Sequence, residues 1–377
     1  MEKFVVSARK YRPSNFGLVI GQSHVTSTLK NAIASGQVAQ AFLFCGPRGV
    51  GKTTCARILA KALNCQNLTP DYEPCNECDS CVSFNNNTSY NIIEIDAASN
   101  NSVDDIRNLV EQVRYPPQSG KKKVYIIDEV HMLSSAAFNA FLKTLEEPPS
   151  YVVFILATTE KHKILPTILS RCQIFDFKRI KVDEIAQQLR IIAQKENIQA
   201  EYEALRLIAQ KADGGMRDAL SMFDMIANFS PERKITYQAT LENLHILDYD
   251  YYFQVTDALL KEDVATAWLI FNEILEKGFD GHLFVVGLCE HLRNLLVCQD
   301  EQTVKLLEVS QETTQKYLEQ AKEASVAFLA TALQIGNQAD LFYKNSKQPK
   351  LHVELMLLKM AYIKKAILLA AELEKKK

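Results

Sequence analysis

With 377 residues the chain is long enough for two or three domains and a sizeable core, and 47% hydrophobic against 23% charged residues is the balance of a soluble globular protein, not a disordered one. A formal net charge of −2 excludes a global basic field, so any contact with nucleic acid is expected to be local or shared with other subunits. No apolar run approaches a membrane span and residues 1–10 lack the apolar core of a secretory signal, so the cytoplasm is the expected place and the nine cysteines are expected reduced or metal-bound.

Residues 7–22, SARKYRPSNFGLVIGQ, crowd basic and aromatic side chains ahead of Pro13 and end in Leu18-Val19-Ile20. The stretch reads either as a surface arm packed on the core or as a segment wrapping over a bound nucleotide. A helix is predicted over 23–35, with Gly36 as its stop.

The stretch 41–54, AFLFCGPRGVGKTT, runs from an apolar strand through a glycine-rich turn into a helix predicted over 52–64. Gly46, Gly51, Lys52 and Thr53 fill the G-x-x-x-x-G-K-[ST] pattern of a phosphate-binding loop. Glycines let backbone N–H groups turn inward and approach phosphate oxygens, Lys52 supplies a cation, and Thr53 offers a hydroxyl to Mg²⁺. The positive end of the following helix points at the same anions. Gly46, Pro47, Arg48, Gly49, Val50, Gly51, Lys52, Thr53 and Thr54 are therefore the candidate nucleotide contacts.

Cys65, Cys75, Cys78 and Cys81 follow in a C-x9-C-x2-C-x2-C arrangement, within a region that Pro70, Pro74, Asn76 and Asp79 mark as loop. Four thiolates so close suit tetrahedral Zn²⁺ in a closed, structural site. Free thiols or a redox pair are the alternatives.

A buried-type strand is predicted over 91–95 and a helix over 103–113. The next strand, 124–127, ends in Asp128-Glu129. After a buried strand, an Asp can hold Mg²⁺ and an adjacent Glu can polarise an attacking water, although such a pair alone is often a solvated turn. The helix predicted over 134–147 carries Phe138, Phe141, Leu142 and Leu145 as core positions and stops at Pro148-Pro149. A strand over 152–157 then ends in Thr158-Thr159, where hydroxyls lie at the ligand-binding edge of an open α/β sheet. Arg171 stands in a later turn, as a surface charge or as an arginine finger for a neighbouring subunit's nucleotide.

Beyond residue 182 the character is helical, with helices predicted over 185–195, 203–212 and 217–227. Arg217 falls in the first turn of the last of these, where the helix dipole disfavours a cation, so a γ-phosphate or a nearby carboxylate is expected to compensate. Helical stretches at 256–260, 265–275, 283–298 and 325–343 carry no chemical motif and suggest an oligomerisation or scaffold module. The tail, 372–377, ends in three lysines and reads as the start of a linker.

ARKYRP and VIGQ, GPRGVGKT, the four-cysteine insertion, IIDEVHML, FNAFLKTLEEPP, ATT, ILSRC and GGMRDAL occur in this order. Together they resemble the gamma/tau family of bacterial DNA polymerase III clamp loader subunits, which are AAA+ ATPases. The resemblance is strong over 8–227 and rests on order and helical content over 243–369. It implies an α/β plus all-α chain: a P-loop AAA+ parallel-sheet domain over 1–179 with a zinc knuckle at 65–81, a helical lid domain over 180–242, and a helical collar over 243–377. It also implies residue roles. Lys52 and Thr53 bind phosphates and Mg²⁺, Asp128 holds Mg²⁺, and Glu129 activates water. Thr159 is the sensor near the γ-phosphate, Arg171 the finger acting on a neighbour, and Arg217 the second sensor. Tyr11, Arg12 and Val19 lie on the adenine side, and the four cysteines hold zinc. The implied activity is ATP hydrolysis that opens a sliding clamp and loads it on primed DNA, within the DNA-directed DNA polymerase holoenzyme, with the polymerising site elsewhere. The implied partners are delta and delta-prime subunits, further copies of the chain, the clamp and primed DNA. Through a longer C-terminal form they extend to polymerase core and helicase.

Overall fold

A computed structural model of the chain describes residues 5–117, 121–229, 233–244, 247–307, 309 and 311–366. The lysine tail at 372–377 lies outside the described residues. Two compact units divide the chain, Met1–Thr236 and Tyr237–Lys377.

The first unit begins with α1 (Ser7–Lys10) and α2 (Ser23–Ser35), the latter ended by Gly36 in the left-handed region at φ +69°. Then follow β1 (Ala41–Cys45), α3 (Lys52–Asn64), α4 (Asp79–Asn85), β2 (Ile92–Asp96), α5 (Val103–Val113), β3 (Lys123–Asp128), α6 (Ser135–Glu146), β4 (Val152–Thr158), α7 (Pro166–Leu169) and β5 (Gln173–Asp176). The five strands pair in parallel in the order β2-β3-β4-β1-β5. Every residue of β1 and β4 is buried, which is why both read as continuous apolar runs. On one face Phe42, Phe44, Val124, Ile126, Val153 and Ile155 pack with Ile58 and Leu59 of α3. On the other, Leu43, Tyr125, Ile127 and Phe154 pack with Leu109 of α5 and Phe138 and Phe141 of α6. The register aligns the strand ends: Asp96 pairs with Asp128, and Cys45 sits between Thr158 and Asp176. Loops leaving these ends therefore meet at one edge, where open α/β sheets bind ligands.

A helical layer completes this unit: α8 (Val182–Lys195), α9 (Tyr202–Lys211) and α10 (Met216–Phe229), with a two-stranded pairing of β6 (Gln199–Ala200) and β7 (Lys234–Ile235). Ile185, Leu189, Leu205, Ile208, Leu220 and Phe223 are among its buried residues, at helical spacing.

The second unit holds α11 (Tyr237–Asn243), α12 (Tyr249–Leu260), α13 (Val264–Glu276), α14 (Gly281–Val297), α15 (Gln311–Ala321), α16 (Val326–Tyr343) and α17 (Pro349–Ala361). Pro349 takes the first position of α17, where a missing N–H costs nothing. The short α4, expected as part of a loop, carries Cys81 and buries Phe84. Among the described residues no helix is long and apolar enough to cross a membrane.

A polar network lies inside this second core. His291, 1% exposed, meets the Tyr317 hydroxyl at 3.1 Å through Nδ1 and Gln320 Oε1 at 2.9 Å through Nε2. The Gln320 amide donates to Phe253 O at 2.9 Å and Asp257 Oδ1 at 2.6 Å, which leaves its oxygen for Nε2–H and makes the ring the neutral tautomer. Burial pushes the His291 pKa down to about 4. The unfolded chain then binds the proton more readily between pH 4 and about 6.5, so stability rises with pH across that window and falls on acidification through it. Unfolding in urea is expected to show this unit weaker at pH 5 than at pH 8 by about 2 kcal/mol, with much of the difference gone in His291→Gln. A wild-type midpoint independent of pH over that range would contradict the assignment.

Candidate functional site

The turn after β1 requires glycine at two points. A Cβ on Gly46, at φ +148°, would lie 2.5 Å from the Phe177 carbonyl oxygen, and Gly51 sits at φ +105°. Gly46 N–H donates to Thr158 O at 3.2 Å and Phe177 N–H to Cys45 O at 2.7 Å, so the loop is pinned between β4 and the end of β5. Val50 is buried, Arg48 is exposed, and Thr54 lies half-buried one residue into α3 beyond Thr53. The Lys52 ammonium is buried and donates to Gly46 O at 2.8 Å and Pro47 O at 2.7 Å. Burial lowers its pKa, against the opposing pull of Glu129 and Asp128.

The acidic pair stands directly across from the loop. Thr53 Oγ1 donates to Asp128 Oδ2 at 2.6 Å, joining the first turn of α3 to the end of β3. Glu129 adopts φ +49°, rare for a non-glycine residue, and its N–H is satisfied by Asp128 Oδ1 at 2.9 Å. Its carboxylate is held from β4: the Thr159 hydroxyl donates to Glu129 Oε2 at 3.1 Å.

Sequence reading missed two residues of this cluster. His131, its side chain 6% exposed, places Nδ1 3.4 Å from Glu129 Oε2 and 3.1 Å from the Thr158 hydroxyl, with Nε2 3.5 Å from Glu160 Oε1. Glu160 directly follows Thr159 and His131 stands two residues after Glu129, yet only the pairing of β3 with β4 brings them together.

The turn into α10 leans on the phosphate loop. A Cβ on Gly49 would approach Gly215 Cα to 3.2 Å, and Arg217 N–H reaches Gly49 O at 3.4 Å. Arg12 of the N-terminal arm, open to solvent, shares this neighbourhood: partial desolvation lowers the pKa of its guanidinium, Arg57 and Arg217 push the same way, and Glu94 and Asp128 oppose. Neither Arg12 nor Arg217 forms an ion pair with any described residue. Cations gathered without carboxylates of their own make a place for an anion. Val19 lines the loop from above, 3.8 Å from a Cβ built on Gly51. Tyr11 turns instead to Glu196 at the end of α8, and burial with that bond raises its pKa to about 12.

Arg171 is not gathered here. Its guanidinium bonds Thr167 O at 2.7 Å and the Ser170 hydroxyl at 3.2 Å, and it pairs with Glu146 of α6 at 2.7 Å while 35% exposed. The four cysteines do come together: their sulfurs all lie within 4.8 Å of one another, with Cys65 3.5 Å from Cys75 and 4.0 Å from Cys78.

Three family models match the chain in succession: the DNA polymerase III delta subunit over 21–181, the DNA polymerase III clamp loader subunit ATPase lid domain over 184–228, and domain III of DNA polymerase III subunits gamma and tau over 235–374. The DNA polymerase III subunit tau of Bacillus subtilis is 46% identical over 77% of this chain and 51% of its own length. Subunit gamma of Buchnera aphidicola is 39% identical over 80% of this chain and 81% of its own. The chain thus spans about half the length of the tau relatives. Among solved structures, the Thermotoga maritima RuvB Holliday junction branch migration motor covers 66% of this chain and 79% of its own at 19% identity and a TM-score of 0.47, a likeness too slight to bear on function. On these matches and the motifs that carry them, the chain belongs to the gamma/tau family of DNA polymerase III clamp loader subunits.

Proposed function

We propose that the chain is an ATP-hydrolysing motor subunit of a cytoplasmic clamp loader, opening a sliding clamp and loading it on primed DNA. The observation that carries this is the Thr53–Asp128 bond of 2.6 Å beside the buried Lys52, with Glu129 next in the chain. Family membership supports the biological setting. In this reading the domains are a nucleotide-binding domain over 1–179, a lid over 180–242 and a collar over 243–377 that joins subunits.

Substrate ATP lies along the loop from Gly46 to Thr54. Backbone N–H groups of Gly49 to Lys52 face its phosphates, and the Lys52 ammonium exchanges the Gly46 and Pro47 carbonyls for β- and γ-oxygens. A hydroxyl and a carboxylate 2.6 Å apart fit a Mg²⁺ site; Thr53 and Asp128 would hold the ion, which would supply positive charge against the phosphates. Glu129 orients the attacking water and takes its proton, while Thr159 and His131 fix the carboxylate's direction. Arg217, beside the loop, meets the γ-phosphate from the lid, and Arg12 adds a cation on the same side. Val19 borders the base, and Tyr11 holds the arm to Glu196 of the lid.

Arg171 serves a neighbouring copy, because its exposed guanidinium pairs with Glu146 and not with this chain's own acidic pair, and needs only to release Glu146. Hydrolysis then depends on assembly with delta, delta-prime and further copies of the chain. The cysteines suit Zn²⁺: bonds of about 2.3 Å in a tetrahedron set sulfurs about 3.8 Å apart, close to the separations in the cluster. The match of residues 21–181 to a delta-subunit model favours, as a second reading, a stator that does not hydrolyse ATP. An intact Lys52 and Glu129 argue for the motor.

Lys52→Ala is expected to weaken ATP binding by about a hundredfold or more, measured by calorimetry; unchanged affinity would overturn the site. Arg171→Ala is expected to leave ATP affinity intact and to lower turnover in the assembled complex by about a thousandfold. Normal DNA-stimulated turnover in that variant would remove the finger role.

A further inference from the structure

The N-terminal arm is fastened at both ends. At one end, the Ser7 hydroxyl and N–H donate to Asp224 of α10, and Lys10 and Tyr11 donate to Glu196 at the close of α8. At the other, residues 14–17 are held from the cysteine knuckle. Glu73, 8% exposed, accepts Phe16 N–H at 2.7 Å and Gly17 N–H at 3.0 Å, and pairs with Lys30 of α2 at 2.6 Å. Asn76 Nδ2 reaches Ser14 O at 3.4 Å, and the buried Lys61 of α3 donates to the same carbonyl at 3.2 Å and to the Asn76 side chain. Between the two fastenings lies Arg12, within electrostatic reach of Asp128 and Arg217, and Val19 follows against Gly51 of the phosphate loop.

The knuckle is built to present Glu73. Cys65 and Cys75, 3.5 Å apart through sulfur, close the loop on which Glu73 sits two residues before Cys75. Within it the Thr69 N–H donates to Glu73 O at 3.0 Å and the Thr69 hydroxyl accepts Glu73 N–H at 3.1 Å, forming a tight turn. Tyr72 and Asn76 hold left-handed backbone at φ +59° and +63° on either side, conformations that persist only where the surroundings impose them. Such a loop has little apolar core of its own, so what fixes it is the cysteine cluster.

We propose that the cysteine knuckle anchors the strap that crosses the nucleotide site, with Glu73 as the positioning residue that sets the strap's register. The inference rests on the nucleotide reading above and adds a role for the knuckle within it. A carboxylate accepting two backbone N–H groups and an ammonium, away from water, is a strong clamp, and its loss lets residues 14–19 slide without touching the phosphate loop.

Metal analysis of the freshly purified protein is the first measurement, with about one zinc per chain expected. Glu73→Gln keeps the side chain's size but replaces one acceptor by an NH₂ group. It is expected to retain the metal, to raise the ATP Kd and KM about tenfold, and to leave kcat at saturating ATP within about twofold. A merely structural role would lower kcat and metal content together. The second measurement is hydrogen exchange on the wild-type chain before and after chelation, in which the Phe16 and Gly17 amides are expected to lose protection together with residues 66–78. Wild-type ATP affinity in a metal-replete Glu73→Gln protein would overturn the proposal. So would Phe16 and Gly17 amides that stay protected after metal loss, or a protein that carries no metal. If instead Lys52→Ala bound ATP as tightly as the wild type, the nucleotide reading itself would fail, whatever Glu73 does.

Discussion

Thr53 and Asp128 belong to different strand–loop–helix units, and the 2.6 Å bond between them ties the phosphate loop to the acidic end of β3. That closeness depends on register. Parallel pairing of β1 with β4 and of β4 with β3 brings Cys45, Thr158 and Asp128 to one edge of the sheet. A slip of one residue in any pair would turn each side chain to the other face and bury the wrong ones. Two layers of buried aromatic and branched residues hold the register. Phe141 meets Phe154 edge-to-face with centroids 5.0 Å apart, and Phe44 meets Phe175 likewise at 5.6 Å.

Charge organises the rest of the site around that edge. Lys52, Arg217 and Arg12 approach from the helix, the lid and the arm, and Asp128, Glu129 and Glu94 stand among them. Gathering cations around the buried Lys52 is unfavourable without an anion, and a triphosphate with its metal would supply one in the proposed reading. Helix α10, the N-terminal arm and the phosphate loop would then share a common ligand, which couples lid position to nucleotide state. Glu129 enters this arrangement already restrained by Thr159 and His131, so its backbone strain at φ +49° is stored where a change of partner would be read out.

Much of this was legible in the sequence where the candidate site is made of consecutive residues. The loop from Gly46 to Thr54, the Asp128-Glu129 step and the four cysteines each follow from local chemistry, and the strands around them announce themselves as unbroken apolar runs. Less was legible where contacts depend on tertiary pairing. His131 and Glu160 meet only because β3 and β4 are neighbours, and Glu73 reaches Phe16 only because the knuckle folds back over α3. Helix α15, with few apolar residues, and α17, begun by a proline that reads equally as a turn, show how weak periodicity hides helices that packing stabilises. The N-terminal arm shows a different limit: Tyr11 and Arg12 are adjacent in sequence, yet Tyr11 bonds Glu196 while Arg12 feels the charges of Arg57, Glu94 and Asp128, a split that no spacing rule carries.

The most direct test of the motor reading is ATP turnover by the chain alone and then with delta-type subunits, sliding clamp and primed DNA. Turnover that is slow alone and rises strongly only when clamp and DNA are both present is the expected result. Turnover indifferent to those partners would contradict the clamp-loading role and leave an ATP site serving some other task.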